Sequence, residues 1–256
     1  MKGFSPFLKK EFFELYRRGR LLLFGILFTF FAILAPATAK LTPYLYKMMG
    51  SELEKQGITV KEVAVTAEDS WIQFFGNLST ILIVFVIVFA GSVTKEFSKG
   101  TAIPLLTKGL SRSAFIFAKL TSALLIWSAG FWLCFGICYG YTEYYWDNST
   151  VSHLIPSVLL WWLFSAMVIS VMFLFSSFAR TTIQVLLGTG AMVMIPYFIS
   201  LAEPAKKYLP TSLVSGISFC NGEVSISKCI PAIIIAAAVT VASAVSSLIL
   251  INKKKI

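Results

Sequence analysis

The chain has 256 residues, of which 57% are hydrophobic and only 13% charged, with 23 phenylalanines and a formal net charge of +10. That balance is too apolar for an ordinary soluble domain of this length and reads as an integral membrane protein. Apolar runs long enough to cross a ~30 Å hydrocarbon core occur at Leu21–Ala39, Phe74–Val93, Leu120–Tyr139, Ser157–Phe178, Ile183–Leu201 and Ile230–Ile251.

Continuous apolar runs of this kind predict helices, because backbone in lipid must bond within its own segment and barrel strands would alternate instead. The expected fold class is therefore all-α, a polytopic protein with six transmembrane helices. Lys and Arg are retained on the cytoplasmic side. With both termini inside, Lys2 to Arg20, Lys95 to Lys119, Arg180 and Lys253 to Lys255 gather on one face, opposed there only by Glu11, Glu14 and Glu96. Both termini are thus expected in the cytoplasm. The basic balance faces anionic lipid and a cytosolic partner, and calls for no nucleic acid.

Residues 1–20 open the chain. Phe4, Leu8, Phe12, Leu15 and Tyr16 share one arc of a helical wheel, with Lys9, Lys10 and Arg17 outside it. An amphipathic helix along the inner surface is expected, turning into the membrane near Gly19. Phe13 points away from that arc and Glu11 lies near its apolar edge, so a plain basic flank is the competing reading. "RRGR" and Ala37-Thr38-Ala39 resemble a signal peptide, but the first run exceeds the ~7 to 15 residues of a signal core.

The remainder, 21–256, reads as one six-span membrane domain with outer loops at 40–73, 140–156 and 202–229. Trp71, Tyr144, Tyr145 and Trp146 fall near outer ends of spans and read as an interfacial aromatic belt. Leu213 to Phe219, following Pro210, suits a short helix dipping back into the outer leaflet. Cys134 and Cys138 lie one helical turn apart and read as packing residues. Cys220 and Cys229 sit together on the outer side, either as a small disulfide loop or as two free thiols. Asn148-Ser149-Thr150 matches a glycosylation acceptor triplet.

None of the six runs contains Asp, Glu, Lys, Arg or His. An ionisable group at mid-bilayer costs ~2.5 to 3.5 kcal/mol and is kept mainly for proton or ion coupling. An ion-coupled carrier would be expected to hold one. The chain also lacks a Walker sequence, an HExxH pattern and a nucleophile elbow, and with one histidine and four scattered cysteines it assembles no metal site. An intramembrane enzyme is disfavoured, and no cofactor is expected in this chain.

The most distinctive polar stretch, Lys95 to Lys119, falls at 94–114 between spans two and three. Gly100 is expected to end the second span, and "TAIPLLTKGLSR" forms a short helix-compatible piece between Gly100 and Gly109, with Ser111 as N-cap of span three. Such a piece either docks on a soluble partner or is a solvated loop.

Glu96 to Arg112, "EFSKGTAIPLLTKGLSR", resembles the signature of permease subunits of ATP-binding cassette (ABC) transporters of the second exporter type: an acidic residue (Glu96), a Gly-Thr pair (Gly100-Thr101), an apolar stretch, then Ser111-Arg112. The resemblance extends to "LKKEFFELYRRGR", "SWIQFFGN", "YLPTSL" and "NKKKI", and departs at Gly109, where many relatives carry proline. It implies a half-transporter whose inner loop couples to an ATPase, with Glu96, Gly100, Thr101, Leu105, Leu106 and Arg112 as coupling elements and not catalysts. It further implies two cytosolic ABC ATPase subunits that bind ATP and Mg, a second permease, identical or paralogous, and a bacterial-type plasma membrane. The substrate expected of so apolar a chain is a lipid, drug or peptide. A non-transporting scaffold or a peptide-immunity protein is the alternative class.

Overall fold

A computed structural model describes residues 3–54, 65–200, 208–222 and 226–253. The "NKKKI" tail beyond Lys253, most of the polar stretch between the first two spans, and the start of the loop after span five lie outside these residues. Among the described residues there is helix and no strand. The helices in chain order are α1 (Phe4–Arg17), α2 (Arg20–Glu54), α3 (Ala67–Ser98), α4 (Ile103–Thr107), α5 (Arg112–Tyr145), α6 (Leu154–Phe178), α7 (Thr182–Ile199), α8 (Gly216–Cys220) and α9 (Ile230–Lys253). Six of them, α2, α3, α5, α6, α7 and α9, are long and apolar enough to span a membrane.

Helix α1 buries Phe7, Glu11 and Leu15, with Phe4, Leu8 and Phe12 packed at the margins of that face. Residues at this spacing share one side of a helix, and the side rests on α5, where Phe4 meets Phe117 and Phe7 meets Phe115 at 5.3 Å. Tyr16, expected within the apolar arc, is exposed. The turn into α2 falls at Gly19, whose φ of 68° is a left-handed conformation that glycine adopts without strain.

The first spans reach beyond the apolar runs that predict them. α2 continues through Lys40 to Glu54 and α3 begins at Ala67, because a polar residue does not end a helix as a C-terminal glycine does. Pro36 and Pro43 lie within α2, each removing a backbone donor. Nearby, the hydroxyls of Thr38 and Thr42 donate to the carbonyls of Leu34 and Thr38 at 2.8 Å.

Helix α6 is the centre of the bundle. It packs against α3, α5, α7, α8 and α9 and is buried on most of its circumference. Its serines satisfy themselves internally, as Ser170 and Ser176 donate to carbonyls one turn back. Aromatic donors tie it to α5: Trp127 Nε1 donates to Ser165 Oγ at 2.6 Å and Trp162 Nε1 to Ser128 Oγ at 3.1 Å. α2 joins the bundle through phenylalanine, with Phe24 4.9 Å from Phe85 and Phe28 5.5 Å from Trp127. By contrast α7 buries only Val185 and Thr189.

At the far end of the bundle one expectation is corrected and two readings left open by the sequence are answered. Trp71 is fully buried and not part of an interfacial belt, because its indole N–H donates to Asn148 Oδ1 at 3.0 Å; Tyr144 is exposed, as a belt residue would be. Asn148 itself is buried and donates to the Tyr139 carbonyl at 3.2 Å, so its amide is not presented for glycosylation. Cys220 and Cys229 are both free, buried thiols. They have separate hydroxyl partners, Ser157 for Cys220 and Ser212 for Cys229. Pro210–Val214 and Gly216–Cys220 are two short helical turns separated at Ser215, and they seat Leu213 and Phe219 in the core.

Candidate functional site: the loop between the second and third spans

The loop is built from its two glycines. Helix α3 ends at Ser98, and Gly100, with φ of 70°, turns the chain while its N–H donates to the Phe97 carbonyl. A helix end leaves carbonyls without partners. Here the Glu96 carbonyl is satisfied twice, by the Thr101 hydroxyl at 3.3 Å and the Ala102 N–H at 3.2 Å. The Gly100-Thr101 pair is thus a C-terminal cap. Helix α4 follows, one turn with Pro104 near its start, and Gly109 (φ 95°) reverses the chain again. Ser111 then caps α5, its Oγ accepting from the Ala114 N–H at 3.2 Å.

Between these caps α4 is held outward. Ala102 is buried beneath it, Leu105 and Leu106 are half-buried, and Ile103 is 41% exposed beside exposed Pro104, Thr107 and Lys108. Leu105 packs partly against the core. Ile103, which sequence reasoning passed over, is the more presented apolar side chain; in a one-turn helix no periodicity reveals which side faces out.

Arg112 and Ser113 tie the loop to the last span. Arg112 donates to the Asn252 carbonyl at 3.3 Å, and Ser113 Oγ donates to the Leu248 carbonyl at 3.3 Å.

Behind the loop Glu96 turns inward. Lys119 Nζ lies 2.7 Å from Glu96 Oε1 and 2.9 Å from Glu11 Oε2, joining α3, α5 and α1. The Lys119 side chain is 4% exposed, Glu11 6% and Glu96 14%. Charges so far from water persist only when paired. Glu14 sits beside the group, paired with Lys10 and Arg18 at 2.6 Å each. Burial alone would raise the Glu14 carboxyl, but its hydrogen bond to Lys10 and the positive charges of Lys10, Arg18 and Lys119 hold it below the usual range.

The sequence shows Lys119 as one more flanking charge and Glu11 as a flaw on an apolar face. The structure makes each the reason for the other. α5 begins at Arg112 and carries Lys119 two turns into the bundle. The carboxylates of Glu11, Glu14 and Glu96 lie within 4.8 Å of one another, the spacing of a cation site. Lys119 already supplies the positive charge there.

The whole arrangement, from the amphipathic start to the last span, falls within one known family. The profile of the ABC-2 family transporter protein matches residues 6–251. No curated protein and no solved structure matches the chain. With its six apolar helices and a match over nearly its whole length, the chain is a membrane permease subunit of the ABC-2 transporter family.

Proposed function

We propose that this permease is half of an ABC exporter, driven from the cytoplasmic side by a separate ATPase pair that engages α4. The observation that carries this reading is the mounting of α4: a single turn held outward between two left-handed glycines and braced from behind by the Glu11–Lys119–Glu96 ion network. A surface meant only to be solvated has no need of such bracing. Closure of the ATPase pair on ATP and Mg would press on α4, and the displacement passes through the Glu96 end of α3 and the Arg112 end of α5 into the spans. A second permease, identical or paralogous, completes the pathway, and an apolar or amphipathic cargo suits a bundle whose central helix α6 carries no ionisable side chain. Both termini then lie in the cytoplasm of a bacterial-type plasma membrane.

The test is co-purification in mild detergent with ATPase assay of the complex. An ATPase subunit should accompany the wild-type chain and be lost from Ile103→Asp and from Leu106→Asp, while insertion is unchanged. A chain recovered alone from well-extracted membranes, or an ATPase retained by both variants, overturns the docking role of α4.

A further inference from the structure

Two apolar hollows lie on the outside of the bundle where α1 turns into α2, and they adjoin at Phe12 and Leu21. The first, about 470 Å³, has Phe24, Phe28 and Ile126 along its floor and Leu125 and Leu133 on the α5 side. The second, about 370 Å³, runs along α1 past Leu8, Phe13 and Tyr16. Phe12 and Leu21 line both, so the two hollows follow one another as a trough from the amphipathic helix toward the face of the spans. Its α2 wall from Leu21 to Phe28 and its α5 wall from Leu125 to Leu133 are each about 10 to 12 Å long at the helical rise.

Gly25 faces the open space of the trough. A Cβ there would meet no heavy atom within 4 Å, whereas one at Gly130, across the same groove, would run into the Phe28 ring. The helices are therefore in close contact beneath an open channel at the level of Gly25. Water in it would find almost no polar partner, since Lys9 is the one charged residue along its length. Lys9 is exposed and lies on the α1 side, where a long cationic side chain meets lipid headgroups.

We propose that the trough holds one acyl chain of an anionic phospholipid, whose phosphate meets Lys9. The tail lies against the phenylalanine floor beside Gly25, and the amphipathic helix α1 forms the rim nearest the headgroup. A cation at the α1 end favours a lipid anion over the flank of a second copy of the chain. The site stands whether or not α4 engages an ATPase.

The experiment uses the full chain in vesicles of phosphatidylcholine and phosphatidylglycerol, with one lipid at a time carrying a photoactivatable group in its tail. Labelled peptides are mapped by mass spectrometry. Labelling by the phosphatidylglycerol probe should be several-fold higher on residues 21–28 and 125–133 than on the largely exposed helix α7. Gly25→Phe, which fills open space, and Ala129→Leu on the exposed rim should each bring trough labelling down to the α7 level with α7 unchanged. Lys9→Glu should remove the preference for phosphatidylglycerol over phosphatidylcholine. Equal labelling of trough and α7, or labelling unmoved by both filling variants, overturns the site. Exclusion of the probe together with cross-linking between copies at Leu125→Cys also overturns it, and makes the trough an interface between two copies.

Discussion

Lys119 and Glu96 stand 2.7 Å apart across the junction of α5 and α3, and the same ammonium holds Glu11 of α1 at 2.9 Å. Removing the cation alone strands two carboxylates in a site with little water. Lys119→Met should therefore lower stability by about 3 to 5 kcal/mol, the cost of breaking a buried pair. Replacing all three members together, with Glu11→Gln, Lys119→Met and Glu96→Gln, should recover most of that loss. Unfolding midpoints of the purified variants in one detergent check both outcomes. A single variant as stable as wild type would show that the network is not a brace.

Gly100 offers a test of loop geometry. Any other residue in its left-handed conformation costs about 1 to 2 kcal/mol, and Gly100→Ala should weaken ATPase co-purification while the chain still inserts. Gly76→Ala, inside α3 with nothing near its Cβ, is the matched control and should be neutral or stabilising by about 0.5 to 1 kcal/mol.

The stability of α1, whose Glu14 pairs along the helix with Lys10 and Arg18, should depend on pH in a fixed direction. Because the Glu14 carboxyl is held below its ordinary value in the folded chain, its contribution is complete above the unfolded pKa and is lost as pH falls toward the lowered one. Acidification through that window should increase protease cleavage within α1, and Glu14→Gln should abolish the change. Cleavage that rises equally in Glu14→Gln would assign the effect to another group.

Cys220 and Cys229 should both react with a maleimide after denaturation without reductant. Intact mass then reports two adducts from this pair, with Cys220→Ser and Cys229→Ser each removing one. A pair that reacts only after reduction would contradict their separate burial beside Ser157 and Ser212.

Much of this molecule is legible in the order of its residues. The six spans follow from runs of lipid-soluble side chains, and Gly100, Gly109 and Ser111 punctuate the loop where their chemistry requires it. What a linear reading misses is pairing at a distance. Glu11 is 108 residues from Lys119 and Glu96 is 23 away, so nothing local distinguishes their shared site from scattered charges. One signal does stand in the sequence: a glutamate on the apolar face of α1 asks for a partner. Trp71 misleads for the same reason, since its position near a span end says nothing of Asn148 waiting beside it.

The Phe28 ring seated on Gly130 bears on how movement would travel. Gly130 contributes no side chain there, so the Phe28 ring of α2 packs directly on the α5 backbone, and a close-packed contact has little compressibility to absorb a shift. With α1 clamped to α5 at one end by Lys119, the three helices are tied together at two levels. If the loop is pushed as proposed above, a displacement at Arg112 would tilt α2 together with α5.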